Sequence, residues 1–279
     1  MKRAMTTLGL IGAMGLLSGV QSQPAAPATV PKNPTAPVDA GSSKPIAPPN
    51  AKDVHEKLTG EAAALAPLVK SDLAKAFLDA TASLPEVGDR SVYREKDGAA
   101  YSSRERDAMA EEKRGTLTER KCSPTFYYYT GYGSPLLYVR ALDLLAGADS
   151  ENWGKEKLAG KRVLDFGYGS IGHLRILASL GMNVTGIEAE PLLHALYSDP
   201  SDNGVIDGHR GGPDGHLRVL LGRWPAEEAI LRDSMRVPGA DDGKEAVANG
   251  GYDLFMSKNT LKRGYIHPCL LYTSDAADE

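Results

Sequence analysis

The run VLDFGYGSIG, Val163 to Gly172, constrains the fold of this chain more than any other segment. Apolar strand formers lead directly into three glycines, and an apolar helical pattern from His173 to Leu180 follows. A buried strand over Arg162–Phe166 must therefore turn sharply into a helix, and glycine admits such a turn without a Cβ penalty. The alternation continues downstream. Asn183–Glu188 is predicted as a second strand, Pro191–Tyr197 as a helix, Leu217–Leu221 as a third strand, Ala226–Met235 as a helix and Tyr252–Ser257 as a fourth strand. Strands and helices in strict alternation predict right-handed βαβ units and a parallel sheet, hence an α/β fold. The Gly- and Asp-rich stretch Asp199–Gly215 is expected as a flexible insertion, since Asp202, Asp207 and Asp214 lack the spacing of a calcium loop.

The chain before this pattern divides by composition. Lys2 and Arg3, the apolar run Leu8–Leu17 and the small residues at Val20-Gln21-Ser22 have the three parts of a secretory signal, so residues 1–22 are expected to direct export to the periplasm or beyond. The run is shorter than the ~20 residues a bilayer span requires, so no stable membrane span is expected; tethering by an uncleaved signal is the alternative. Residues 23–51 hold eight prolines among Ala, Ser, Thr and Gly and are expected to be a disordered linker. Residues 52–150 are expected to be mainly helical, with Leu65, Leu68, Val69, Leu73 and Phe77 at helical spacing and a break at Pro67. Ser91–Glu95 and Ala99–Ser102 suit a small hairpin about Asp97-Gly98, and the charged Arg104–Arg120 a solvated helix. The aromatic run FYYYTGY, Phe126–Tyr132, precedes a further helical stripe, Leu136 to Leu145.

Composition excludes several functions. With 32 basic and 36 acidic side chains the net charge is -4, which gives no general attraction to nucleic acid or anionic lipid. Cys122 and Cys269 are too few for a disulfide framework or a cysteine zinc site, and His55, His173, His194, His209 and His216 show no ligand spacing, so no metal site is expected.

The glycine loop carries the chemistry. Gly167, Gly169 and Gly172 fit the GxGxxG pattern between a strand and a helix, where the backbone closely approaches an anionic ligand group. Glu188, ending the second strand, is placed to accept from two ribose hydroxyls; capping the helix at Pro191 is its ordinary alternative. Asp165 is costly to bury unpaired, and its partner is either a ligand ammonium or the loop's own backbone.

VLDFGYGSIG followed by VTGIEAEPLLHALY resembles the first motif and the following acidic motif of class I S-adenosylmethionine-dependent methyltransferases, and YDLFMSKN is similar to their fourth-strand motif. The resemblance covers about Lys161 to Pro268. It implies the front half of a Rossmann-like, doubly wound parallel sheet over residues 151–268, with S-adenosylmethionine as cofactor held by Asp165, Gly167, Tyr168, Gly169, Gly172 and Glu188. Where many members carry an acid after the third strand, this chain has Gly222-Arg223-Trp224, so Trp224 is the candidate for the adenine ring, with packing as its alternative. Lys258 and Asn259, just past the fourth strand, face the expected reaction site; Tyr129, Tyr132 and Gly133 are placed to line an aromatic lid, with Tyr132, between Gly131 and Gly133, its candidate site residue and packing expected for most of the tyrosines. The methyl acceptor, a small molecule or a protein, is not specified by the sequence. An NAD(P)-dependent oxidoreductase and a non-catalytic binding module are the competing expectations, the first supported by the full GxGxxG. Export also sits uneasily with a cytosolic cofactor. Finally, residues 269–279, CLLYTSDAADE, resemble a translated transposase-adapter sequence, so the natural chain is expected to continue past Pro268.

Overall fold

A computed structural model describes residues 49–236 and 251–258. The expected signal segment, nearly all of the proline-rich linker, Asn259 and the adapter-like tail lie outside the described residues.

Helix α1 (Ala51–Leu65) starts on a reciprocal cap: Asn50 Oδ1 accepts from the Asp53 N–H and Asp53 Oδ2 from the Asn50 N–H, both at 3.0 Å. It buries Val54, Leu58 and Ala62, one residue per turn. As Pro67 predicts, the helix yields to a 3-10 turn, and α2 (Asp72–Asp79) restarts from Ser71, burying Leu73, Phe77 and Leu78. The hairpin forms as expected, from β1 (Arg90–Arg94) and β2 (Ala100–Ser102).

The charged stretch after it is not one helix. A capping box at Ser102 and Glu105 starts α3 (Ser103–Asp107), and a second short helix, α4 (Glu111–Arg114), ends at Gly115. Then β3 (Thr118–Cys122) pairs antiparallel with β1, Arg90 opposite Cys122, giving a three-stranded sheet β2-β1-β3. No apolar stripe runs through Arg104–Arg120 to hold a longer helix against the core. Helix α5 (Pro124–Tyr128), a 3-10 turn from Pro135, α6 (Val139–Ala148) and α7 (Ser150–Trp153) complete this region.

The second sheet has five strands and mixed direction. In it β4 (Arg162–Phe166), β5 (Asn183–Glu188), β7 (Gly215–Leu221) and β8 (Leu254–Ser257) are parallel in the order β7-β5-β4-β8. Helices α8 (Gly172–Ser179), α9 (Pro191–Leu196) and α10 (Glu228–Ser234) alternate with them. The expected insertion Asp199–Gly215 contributes a short strand, β6 (Gly204–Ile206), antiparallel to β7, because Asn203 Oδ1 accepts from the Val219 N–H at 3.0 Å and seats the segment along that edge. The fold is α/β.

Alternation along β4 sets up the site. Leu164 and Phe166 pack on one face with Ile187, Trp224 and Ile230. Val163 lies in the larger core on the other face, which runs continuously from Val54 to Met256 and so joins both sheets. The join is also ionic. Asp202, 1% exposed, accepts from Arg90 of β1, Tyr127 of α5 and Arg175 of α8. Among the described residues no helix is long and apolar enough to cross a membrane, and no group of three or more His, Cys, Asp or Glu side chains is placed to hold a metal ion.

Candidate functional site

The chain leaves β4 through Gly167 at φ +74° and Gly169 at φ +65°, both in the left-handed region. The Gly167 N–H donates to the Ile187 carbonyl at 2.8 Å, which ties the loop to β5. The Gly169 N–H donates to Glu188 Oε2 at 3.3 Å, and the Ser170 N–H turns back to the Tyr168 carbonyl. Three loop amides are therefore already engaged within the protein. The third glycine serves packing, since a Cβ on Gly172 would lie 2.8 Å from Pro135 Cγ and 3.1 Å from Tyr128 Cδ1. Only a bare backbone lets the start of α8 approach the aromatic segment this closely.

Glu188 closes the other side. Its Oε1 accepts from the Ala189 N–H at 2.9 Å and the Glu190 N–H at 3.2 Å, so one carboxylate braces two loops. Burial pushes its pKa above the ordinary glutamate value, and these backbone donors oppose the shift.

Between the two loops opens a cavity of about 420 Å³, within the ~300–1,000 Å³ range of small-molecule sites. Gly167, Tyr168, Gly169 and Glu188 line it, as do Tyr132 and Lys258. Six of the sequence-predicted residues thus meet at one cavity. Tyr129, the other lid tyrosine, also lines it, and so do Phe126, Thr130, Glu190 and Leu193, to which the motifs give no role. Thr130 and Gly133 exchange two backbone hydrogen bonds at 3.0 Å, which holds Tyr132 at the tip of a tight turn with 60% of its surface exposed. Tyr127 and Tyr128 are buried packing residues, as expected for most of the run. Tyr168, nearly inaccessible in the wall, has a hydroxyl with no hydrogen-bond partner.

Lys258 is the one cation among the described lining residues. Its ammonium lies 5.3 Å from the centre of the Tyr138 ring, and burial lowers its pKa against the pull of Asp165.

Three predicted residues stand elsewhere. Asp165 is fully buried beneath the loop, where Oδ2 meets His173 Nε2 at 2.5 Å and the Tyr138 hydroxyl at 3.3 Å. Within the chain its partners are therefore these two side chains rather than the loop backbone. The His173 ring stacks on Tyr138 at 4.1 Å, and both Asp165 Oδ1 and His173 Nδ1 are buried without partners. Gly172 packs on Pro135, as above. Trp224 packs against Phe255 and Phe166, and its indole N–H donates to Ser234 Oγ at 3.2 Å. Its packing alternative describes what it does here.

Compared with protein-family models, curated proteins and solved structures, the chain matches none.

Proposed function

We propose that the chain is a methyltransferase that uses S-adenosylmethionine, built on a Rossmann-like sheet. One observation carries this: the glycine turn after the central parallel strand and the carboxylate ending its neighbour open on the same cavity. The strand order β7-β5-β4-β8 supports it, since it follows the 3-2-1-4 order of nucleotide-binding α/β sheets, in which ligands sit beyond the carboxyl ends of the strands.

The lining suits the group. Glu188 would accept from the ribose hydroxyls, and the faces of Phe126, Tyr129 and Tyr132 offer a surface for a sulfonium or a purine. Because three loop amides are internally bonded, the anionic end of the ligand falls to Lys258 rather than to the glycine turn. When bound, the cofactor supplies an activated methyl group. The chain's part is to hold cofactor and acceptor in line, so that positioning provides much of the rate. Asp165, engaged by His173, takes no part in this scheme.

Calorimetric titration of the full chain with S-adenosylmethionine, its demethylated product and NAD tests the proposal. Both sulfur compounds should bind and NAD should not, and Glu188→Gln should weaken binding about 10- to 100-fold, the loss of charge-assisted hydrogen bonds. Preference for NAD would make the chain an oxidoreductase. Binding of none would leave a module with a different ligand.

A further inference from the structure

A second polar chain stands apart from this cavity. Helix α2 ends at Asp79 and runs into a 3-10 turn, Ala80–Ser83, so Asp79 and Ser83 lie one turn apart. The loop 208–214 faces them. Gly208 packs so tightly on Gly212 that a Cβ there would overlap its carbonyl oxygen, and the Gly208 N–H is held by Asp214 Oδ1 at 2.8 Å. Arg210 takes a left-handed backbone, φ 52°, which non-glycine residues rarely adopt. This built loop presents two side chains to one carboxylate. His209 Nε2 meets Asp79 Oδ2 at 2.9 Å, and Arg210 Nη2 donates to Asp79 Oδ1 at 2.8 Å. The other ring nitrogen, Nδ1, lies 2.5 Å from Ser83 Oγ.

The bonding order defines roles. An ionised carboxylate can only accept, so Asp79 keeps the proton on Nε2 and leaves the Nδ1 lone pair to the Ser83 hydroxyl. That is the tautomer a serine needs from its base. The two nitrogens carry the opposite assignments from those of trypsin-like enzymes, and roles rather than positions define such a triad. Ser83 also has somewhere to act. It lines a cavity of about 270 Å³ with Leu84, Val205, Ile206 and Arg175, while the His209 side chain is only 11% exposed. The Arg175 guanidinium is fixed by bonds from Nη1 to the Ser201 carbonyl at 2.8 Å and Asp202 at 3.2 Å, a preorganised positive charge in the same wall.

We propose that Ser83, His209 and Asp79 form a nucleophilic triad that hydrolyses esters of short-chain acids. The cavity lies below the ~300 Å³ of a drug-sized site, which limits the acyl group to a short one; its wall is largely polar, with Ala80, Leu84, Val205 and Ile206 as its apolar side chains. Ser83 Oγ attacks the ester carbonyl carbon as its proton passes to His209 Nδ1, and the oxyanion forms beside Arg175. The bond to the leaving oxygen breaks as that oxygen takes the proton from Nδ1, giving an alcohol and acyl-Ser83. Water then gives a proton to Nδ1 and attacks the acyl carbon. Release of the acid returns the proton to Ser83.

The test uses the full chain with p-nitrophenyl acetate and, separately, a fluorophosphonate label mapped by mass spectrometry. Wild type should hydrolyse the ester, and Ser83→Ala and His209→Gln should each lower the rate at least about 100-fold. The label should sit on Ser83, which decides the matter even where a variant folds poorly. Hydrolysis no faster in wild type than in Ser83→Ala, or no label on Ser83, overturns the proposal. Activity that survives Ser83→Ala but dies in His209→Gln also overturns it, by placing the acyl group on the imidazole.

Discussion

Among the described residues stand two aspartate–histidine pairs, and their surroundings separate them. Asp165 and His173 are both fully buried, 2.5 Å apart, with Tyr138 stacked on the imidazole and an unpartnered polar atom on each residue. Asp79 and His209 are 45% and 11% exposed, and their chain ends on a serine hydroxyl at a cavity wall. The same two side chains give a tie between β4 and α8 in one place and a candidate base in the other. A buried pair has lost its water, so each polar group depends on the other and neither partner can be lost alone without cost. A pair at the surface keeps water and a third partner, and its proton has somewhere to go.

The largest expected effect follows from the buried pair. His173→Ala leaves Asp165 in the core with only the Tyr138 hydroxyl, at 3.3 Å, and stability to urea should fall by about 3–5 kcal/mol. Replacing Asp165 and His173 together by leucine should restore much of that, because the apolar pair removes both desolvation costs. A loss under about 1 kcal/mol in the single variant would mean that the pair does not hold β4 to α8.

That pair also marks where sequence ceases to be informative. The strands β4 and β5 have the predicted boundaries, because their apolar runs and flanking glycines are local signals. The need of Asp165 for a partner was equally legible. The partner was not: His173 comes from the first turn of the following helix, and Tyr138 lies 27 residues upstream. Only the packed face of β4 brings them together. Strand β3 was hidden for a different reason. Thr118 to Lys121 are all exposed at a sheet edge, so no apolar alternation exists to be read. The burial of Asp202 depends on two arginines and a tyrosine from three separate elements, and a Gly- and Asp-rich stretch gives no hint of it. The cavity was readable in its glycines and Glu188, whereas Phe126, Glu190 and Leu193 enter it through tertiary placement alone.

A third buried carboxylate sharpens the contrast by having no histidine. Asp143, 5% exposed, accepts from the Ser71 N–H at 2.8 Å and the Lys70 N–H at 2.9 Å, with Arg140 at 3.1 Å. The backbone donors, Ser71 first, hold its pKa below the usual aspartate range. A depressed pKa contributes stability that is present above the unfolded value, ~3.9, and is lost as pH falls through the folded one. Asp143→Asn should therefore cost about 1 kcal/mol at pH 7. The gap from wild type should hold down to about pH 5 and close below ~3.9, as the wild-type carboxyl takes its proton. A gap independent of pH would show that shape, not charge, matters there.

The smallest effect on stability is expected at the exposed pair. His209→Ala removes one bond to Asp79 and one to the exposed Ser83 hydroxyl, but Arg210 still holds the other carboxylate oxygen and water reaches the groups released. Such a pair is worth about 0.5 kcal/mol, and urea denaturation at low ionic strength should show a loss of that order. The contrast with His173→Ala is then about six- to tenfold in energy for pairs of the same two side chains. A loss of about 3 kcal/mol or more would put His209 in the class of His173, a clasp fixing the 208–214 loop to α2. A small loss leaves the tight Gly208 contact and the Arg210 ion pair as what holds the loop, and His209 free to serve Ser83.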